Sequence, residues 1–126
     1  MNLPISIKGV VKANRQRGRD LGFPTANIDV ALNISDGVYL GYTKLRRQGE
    51  ESALPSLIFV GAAVTFGETR RNAESHILDF TGELYGREIE LKLLEKIRES
   101  KKFESPGEMV AQIIEDEKIA RAHFGI

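Results

Sequence analysis

The sequence predicts a mainly β protein, with six strands in a closed antiparallel barrel followed by one C-terminal helix. Two observations favour this class: short apolar segments separated by polar breaks along most of the chain, and helical spacing after Ser105. A chain of 126 residues is long enough for one domain with one core. We expect one domain over residues 1–126, with the barrel at about 5–98 and the helix at about 106–124.

Six segments have the composition of strands, and each is bounded by turn residues. They are Ile5–Val11, Ala26–Val30, Val38–Leu45, Leu57–Phe66, Ser75–Phe80 and Glu88–Ile97. The last segment alternates most regularly, with Ile89, Leu91 and Leu93 on one face and charged residues on the other. The charged run Arg46–Glu51 is expected to form a turn between two strands.

The C-terminal segment carries the signals of a helix start. Ser105 is the expected N-cap, Pro106 suits the first helical position, and Glu108 completes a capping box. Apolar residues at helical spacing follow, namely Val110, Ile113, Ile114, Ala120 and Phe124. We expect this helix to lie against the barrel, because its apolar stripe must be buried.

Composition argues against several classes of function. The 18 basic and 18 acidic residues balance, so a general nucleic-acid footprint is not expected. The chain has no cysteine and two distant histidines, which argues against disulfides and a zinc site. Neither a signal peptide nor a membrane-spanning apolar run is evident. We expect a cytoplasmic monomer with neither nucleic acid nor membrane as a partner.

The most informative segment is the glycine-punctuated basic run Gly18–Asn27. Glycines allow the backbone to approach a ligand closely. Arg15, Arg17 and Arg19 add cations that suit a polyphosphate. The run lacks a Walker-type ending, so it is not a P-loop. From the residues alone, a solvated loop remains the commoner interpretation.

A strand is expected to leave this loop and to carry two neutral oxygen ligands. Pro24 favours an extended Phe23, and strand periodicity then points Thr25 and Asn27 to the same face. A hydroxyl and an amide oxygen can hold Mg²⁺ that keeps waters and nucleotide phosphates as its other ligands. Thr and Asn are also common turn residues near proline.

Several blocks, in order from Gly9 to Arg121, resemble the riboflavin kinase (flavokinase) family. They are Leu21–Asn27 with the loop before it, Asp36–Tyr39, Glu74–Phe80, Leu84–Gly86, Ile97–Arg98, Lys102–Ser105, Gln112–Ile113, Asp116 and Ala120–Arg121. The resemblance implies a six-stranded Greek-key barrel with a C-terminal helix. Ala63 and Val64 stand where the family usually has arginine and proline.

The resemblance implies an enzyme that makes FMN and ADP from riboflavin and ATP. ATP with Mg²⁺, or another divalent cation, would be the co-substrate, and no tightly bound prosthetic group is expected. No second nucleotide-binding fold or His-x-x-His motif is evident, so we expect a kinase module without an FMN adenylyltransferase domain. Two alternatives stay open: a flavin- or nucleotide-binding barrel without turnover, and an OB-like nucleic-acid barrel, which would need a basic groove.

The same resemblance assigns roles at the phosphate end of the site. Glu74, in its Glu-x-His context, would accept the proton of the ribityl 5′-hydroxyl, although position alone suggests an ordinary exposed carboxylate. Thr25 and Asn27 would hold the metal. The expected phosphate-binding residues are Arg15, Arg17, Gly18, Arg19, Gly22 and Phe23. His76 is expected to be a structural residue near the site.

Four residues are expected to border the flavin ring in a crevice between barrel and helix. They are Arg98, Phe103, Glu104 and Met109. Simpler interpretations exist for two of them, because Phe103 can anchor the core and Glu104 can favour the helix N-terminus. His123 is expected to interact with the helix C-terminus.

Overall fold

The computed structural model describes residues 2–12, 25–30, 33–62 and 71–126. Within these ranges the chain forms six strands and one helix. They are β1 Ile5–Val10, β2 Ala26–Asp29, β3 Gly37–Arg47, β4 Glu50–Gly61, β5 Asn72–Ile77, β6 Glu88–Arg98 and α1 Pro106–Phe124. The predicted class, mainly β with a C-terminal helix, is confirmed.

All six strands belong to one antiparallel sheet with the order β1-β6-β3-β4-β5-β2. β3, β4 and β5 are sequential neighbours and β6 returns beside β3, which is a Greek-key arrangement. Beyond β1, the Lys12 N–H donates to the Asn27 carbonyl oxygen at 2.9 Å. This bridge to β2 nearly closes the sheet, so the predicted barrel is confirmed.

The β3–β4 hairpin extends further than the sequence predicts. The turn expected over Arg46–Glu51 is confined to Gln48 and Gly49, whose φ angles are 53° and 82°. The ladder includes the pair Arg46 and Glu51. Opposite charges across two strands stabilise the pairing, so this charged run continues the hairpin instead of forming a loop.

β5 begins and ends earlier than predicted. The Leu78 N–H still bonds to the Pro55 carbonyl oxygen at 3.0 Å. β5 nevertheless stops at Ile77, because Pro55 has no N–H to return that bond and Asp79 adopts a left-handed φ of 56°. Glu74 therefore lies inside a strand and not at its start. The predicted strand Leu57–Phe66 coincides with the end of β4 as far as Gly61, and residues 63–66 lie outside the described ranges.

The barrel interior is mainly apolar and contains a cluster of three hydroxyl groups. Ile28, Ile58 and other aliphatic residues of all six strands fill it. The Thr43 hydroxyl lies 2.8 Å from that of Ser56 and 2.5 Å from that of Ser75. These hydrogen bonds satisfy polar groups that would otherwise be costly to bury.

Helix α1 packs on the outer face of the sheet. A second apolar cluster joins it to β3 and β4 through Val38, Leu40, Leu57, Leu78, Ala120 and their neighbours. The predicted cap is confirmed, because the Ser105 hydroxyl accepts the Glu108 N–H at 3.2 Å. No helix in the described ranges is long and apolar enough to cross a membrane.

The first part of α1 precedes the polar contacts of the helix with the sheet. Asp116 binds Arg98, the last residue of β6. Phe124 contacts Tyr42, with 5.3 Å between ring centroids, further into the sheet along β3. Residues 106–115, about 15 Å of helix, precede the residue that binds Arg98. We call this part of α1 the overhang.

Candidate functional site

One row across the outer face of the sheet joins predicted site residues from three strands. Asn27 on β2 opposes Glu74 on β5, which opposes Phe59 on β4. Phe59 opposes Val38, and Val38 opposes Arg98 at the end of β6. The Cβ atoms of opposed residues lie about 5 Å apart, so the predicted metal ligand and the predicted base are direct neighbours.

Asn27 provides a buried oxygen suited to a cation. Ala26 and Ile28 face the core, so Asn27 points to the outer face. It is only 8% exposed, and no described residue donates a hydrogen bond to its Oδ1 atom. Buried acceptors without a donor are uncommon, and amide oxygen is a suitable ligand for a hard divalent cation. Together with Thr25, half-buried two residues earlier, Asn27 fits the predicted metal site.

The predicted phosphate loop lies outside the described residues. Its members there are Arg15, Arg17, Gly18, Arg19, Gly22 and Phe23. The described residues on either side of segment 13–24 are Lys12 and Thr25, and Lys12 lies opposite Asn27. The two described residues that flank this segment are thus next to the candidate metal ligand.

Arg98 is held by the helix. Its Nε and Nη2 atoms donate to the two carboxylate oxygens of Asp116 at 2.8 and 2.7 Å. Gln112 donates to the same carboxylate at 3.0 Å. Asp116 is fully buried, and burial of a charge in this way requires a close, hydrogen-bonded partner. The pair therefore anchors α1 to the end of β6.

The overhang borders a groove of about 390 Å³. Its lining residues are Lys101, Phe103, Glu108, Ala111, Gln112 and Glu115. Of the four predicted flavin-side residues, only Phe103 is among them. Arg98 lies beside the groove, with its guanidinium carbon 5.9 Å from the Phe103 ring centroid. The aromatic ring and the cation could support a flat aromatic ligand.

The other two predicted flavin-side residues belong to the start of the helix. The Glu104 N–H donates to the Glu108 side chain at 3.1 Å, so Glu104 takes part in the capping structure. Met109 is half-buried on the first turns of α1. Neither lines the groove, and neither is brought into the row that contains Glu74.

A chain of polar contacts joins β5 to α1. His76 Nε2 lies 3.1 Å from Glu117 Oε2, and Arg121 donates to Glu117 Oε1 at 3.1 Å. Arg121 also donates to both carboxylate oxygens of Asp79, at 2.8 and 3.1 Å. The hydrogen bonds from Arg121 hold the pKa of Asp79 below its usual 3.8, and the same contacts raise the pKa of Arg121. His76 therefore links strand and helix close to the candidate base.

His123 occupies the last turn of α1, as predicted. Its ring packs edge-on against Phe124, with 4.8 Å between centroids. It lies at the end of the helix opposite to the overhang and takes no part in the row that contains Glu74.

The sequence pattern predicts no role for Asp116 or Glu117. A signal for Asp116 is present in the chain. Ile113, Asp116 and Ala120 share one helix face at spacings of three and four residues, and all three are buried. A carboxylate on an otherwise apolar face indicates a buried ion pair.

Comparison with known proteins identifies related sequences over nearly the whole chain. The family model described as "Flavokinase: Riboflavin kinase" matches residues 1–124. The bifunctional riboflavin kinase/FMN adenylyltransferase of Escherichia coli (strain K12) is 38% identical over 125 residues, 98% of this chain and 39% of that protein. The RNA-binding riboflavin kinase RibR of Bacillus subtilis (strain 168) is 34% identical, covering 87% of this chain and 47% of that protein. The chain thus spans less than half the length of either relative.

Solved structures share the fold. A macrolide-efflux protein from Streptococcus pneumoniae aligns with a TM-score of 0.75 and 33% identity, covering 94% of this chain and 38% of that one. The riboflavin kinase from Trypanosoma brucei aligns with a TM-score of 0.69 and 22% identity, covering 97% of this chain and 80% of that one. At that identity the second likeness shows the fold alone.

Proposed function

Because this chain belongs to the riboflavin kinase family, we propose that it transfers the γ-phosphate of Mg-ATP to the ribityl 5′-hydroxyl of riboflavin. The products are FMN and ADP. The reaction forms a bond between the 5′ oxygen and the γ-phosphorus and breaks the bond between that phosphorus and the β–γ bridging oxygen. The hydroxyl proton passes to a base on the protein.

The observation that carries this proposal is the pairing of Asn27 with Glu74 across β2 and β5. Phosphoryl transfer requires the reacting groups to be positioned, negative charge to be neutralised and the attacking hydroxyl to lose its proton. Asn27 and Thr25 would hold the cation, which when bound neutralises charge on the phosphates. Glu74 would accept the proton from a hydroxyl next to those phosphates.

The remaining residues are proposed to bind the two substrates. Segment 13–24, which contains the predicted phosphate-binding arginines and glycines, would surround the phosphates, since the described residues on either side of it, Lys12 and Thr25, lie beside Asn27. The flavin would bind at the overhang, bordered by Arg98, Phe103, Glu104 and Met109. The aromatic ring of Phe103 supports this placement, because a neutral flat ring needs an apolar slot with a few polar groups.

Several further expectations stay predictions. They are that the protein is a cytoplasmic monomer and that it binds no nucleic acid. The name of the Bacillus subtilis relative includes RNA binding, so the last expectation needs its own test. Filter binding of single-stranded RNA and DNA across a salt series would measure it, because phosphate contacts weaken steeply with salt.

Chromatographic separation of flavins after incubation with riboflavin, ATP and Mg²⁺ tests the kinase proposal. We expect FMN and ADP to appear in equal amounts and only when the divalent cation is present. Binding of riboflavin without any FMN would instead favour a flavin-binding barrel that lacks turnover.

A further inference from the structure

Helix α1 is clamped to two different strands by two adjacent residues. Asp116 binds Arg98 of β6 through both carboxylate oxygens. Glu117 contacts His76 of β5 at 3.1 Å. Because the two carboxylates are consecutive, both clamps act at one level of the helix, immediately after the overhang.

Arg121 stabilises the contact between Glu117 and His76. Glu117 uses one oxygen for His76 and the other for Arg121, which in turn binds Asp79 just after β5. An ionised carboxylate only accepts hydrogen bonds, so His76 Nε2 carries the hydrogen. With 9% of its surface exposed, His76 is largely shielded from water, and shielding strengthens a hydrogen bond to a carboxylate.

His76 lies on the same face of β5 as Glu74, two residues further along. Its partner on the neighbouring strand β4 is Leu57, which is fully buried in the apolar cluster beneath α1. The contact from Glu117 therefore reaches β5 at the side chain next to Glu74 on the same face of the strand.

We infer that His76 is a positioning residue for the phosphate transfer. Through Glu117 it sets the separation between Glu74 on β5 and the overhang of α1, where the flavin ring would bind. This inference rests on the proposed function. A misplacement of about 1 Å between reacting groups can slow a reaction by a factor of about 100.

The fold itself does not depend on this contact. β5 is hydrogen-bonded to β4 on one side and β2 on the other. The helix is also held by its apolar cluster and by the pair of Asp116 with Arg98. Loss of the His76 hydrogen bond should therefore change the orientation of α1 more than the stability of the protein.

Kinetics of three variants test the inference. His76→Phe removes the hydrogen bond, His76→Gln keeps a donor that can reach Glu117, and Lys118→Gln removes only an exposed helix pair with Glu115. In His76→Phe we expect kcat to fall about tenfold to a hundredfold, with KM for ATP nearly unchanged. His76→Gln should recover part of this loss, and Lys118→Gln should match wild type. Equal kcat in His76→Phe and Lys118→Gln overturns the inference.

A distance measurement tests the clamp without using activity. The chain has no cysteine, so Ile114→Cys on the overhang and Ser6→Cys on β1 give two unique sites for spin labels, both exposed. We expect His76→Phe to broaden or shift the distance distribution between the labels, and Lys118→Gln to leave it unchanged. An unchanged distribution in His76→Phe rejects the clamp. Absence of FMN from the wild type would reject the proposed function and would leave this measurement valid.

Discussion

Asn27 and Glu74 lie directly opposite each other on the outer face of the barrel, on strands far apart in sequence. The side-chain oxygen of Asn27 is buried, and no described residue donates a hydrogen bond to it. The carboxylate of Glu74 is partly exposed. An oxygen suited to a cation and a group suited to accept a proton are thus held as neighbours by backbone hydrogen bonds, and each can be tested separately.

Glu74→Gln should abolish the base while preserving size and shape. We expect kcat for FMN formation to fall roughly a hundredfold or more, with binding of Mg-nucleotide close to normal. Glu51→Gln is the matched control, because Glu51 is an exposed strand carboxylate roughly 26 Å along β4 from the residue that faces Glu74. Wild-type kcat in Glu74→Gln would mean that the base lies elsewhere.

Asn27→Ala should change the Mg²⁺ dependence of activity while leaving the stability of the protein nearly unchanged. No described donor loses its partner, so the free energy of unfolding should change by no more than about 1 kcal/mol. The Mg²⁺ concentration for half-maximal activity should rise, because one cation ligand is removed. Urea unfolding and a metal titration measure the two effects. Superimposable metal titrations of variant and wild type would exclude Asn27 as a ligand.

Asp116→Ala should destabilise the protein strongly. It leaves the largely buried guanidinium of Arg98 without its counter-charge, a change that typically costs about 3–5 kcal/mol. Lys118→Gln, which removes an exposed ion pair of the same helix, should change stability by less than about 1 kcal/mol. Denaturant unfolding compares them, and equal midpoints for the two variants would contradict the assigned role of Asp116.

Asp79→Asn should alter the dependence of stability on acid. Hydrogen bonds from Arg121 lower the pKa of Asp79 in the folded protein below 3.8. The unfolded chain therefore takes up this proton more readily, and the stabilisation exists above 3.8 and disappears as pH falls through the lowered pKa. Unfolding measured from pH 7 to about pH 2 should show wild type and Asp79→Asn converging at the acid end. A constant difference across that range would contradict this assignment.

Gly41→Ala should destabilise the barrel through a backbone clash. A Cβ atom there would overlap the Lys92 carbonyl oxygen and lie 2.8 Å from Ile58 Cδ1. We expect a loss of about 1–3 kcal/mol. Gly107→Ala is the control, because its nearest neighbour would be the Ser105 hydroxyl at 3.8 Å and alanine favours a helix. In thermal unfolding we expect a Tm below that of wild type for Gly41→Ala only.

Local sequence patterns account for most of the secondary structure. The cap at Ser105 and the helix to Phe124 were predictable because capping and helical spacing involve residues close along the chain. The alternation around Leu91 indicated a strand in the same way. The turn predicted within Arg46–Glu51 is present but shorter than the pattern indicates, because pairing with an opposite charge on the neighbouring strand extends the ladder on both sides of it.

The arrangement of the candidate site depends on contacts between segments that are distant in sequence. Periodicity and the family resemblance indicated Thr25, Asn27 and Glu74 as side chains with suitable chemistry. Only the strand register brings Asn27 opposite Glu74, and only the docking of α1 brings Glu117 to His76 and Asp116 to Arg98. The two-residue repeat of a strand specifies the face on which a side chain lies, but it does not specify the partner of that side chain on another strand. Hydrogen bonds between distant segments set that partner.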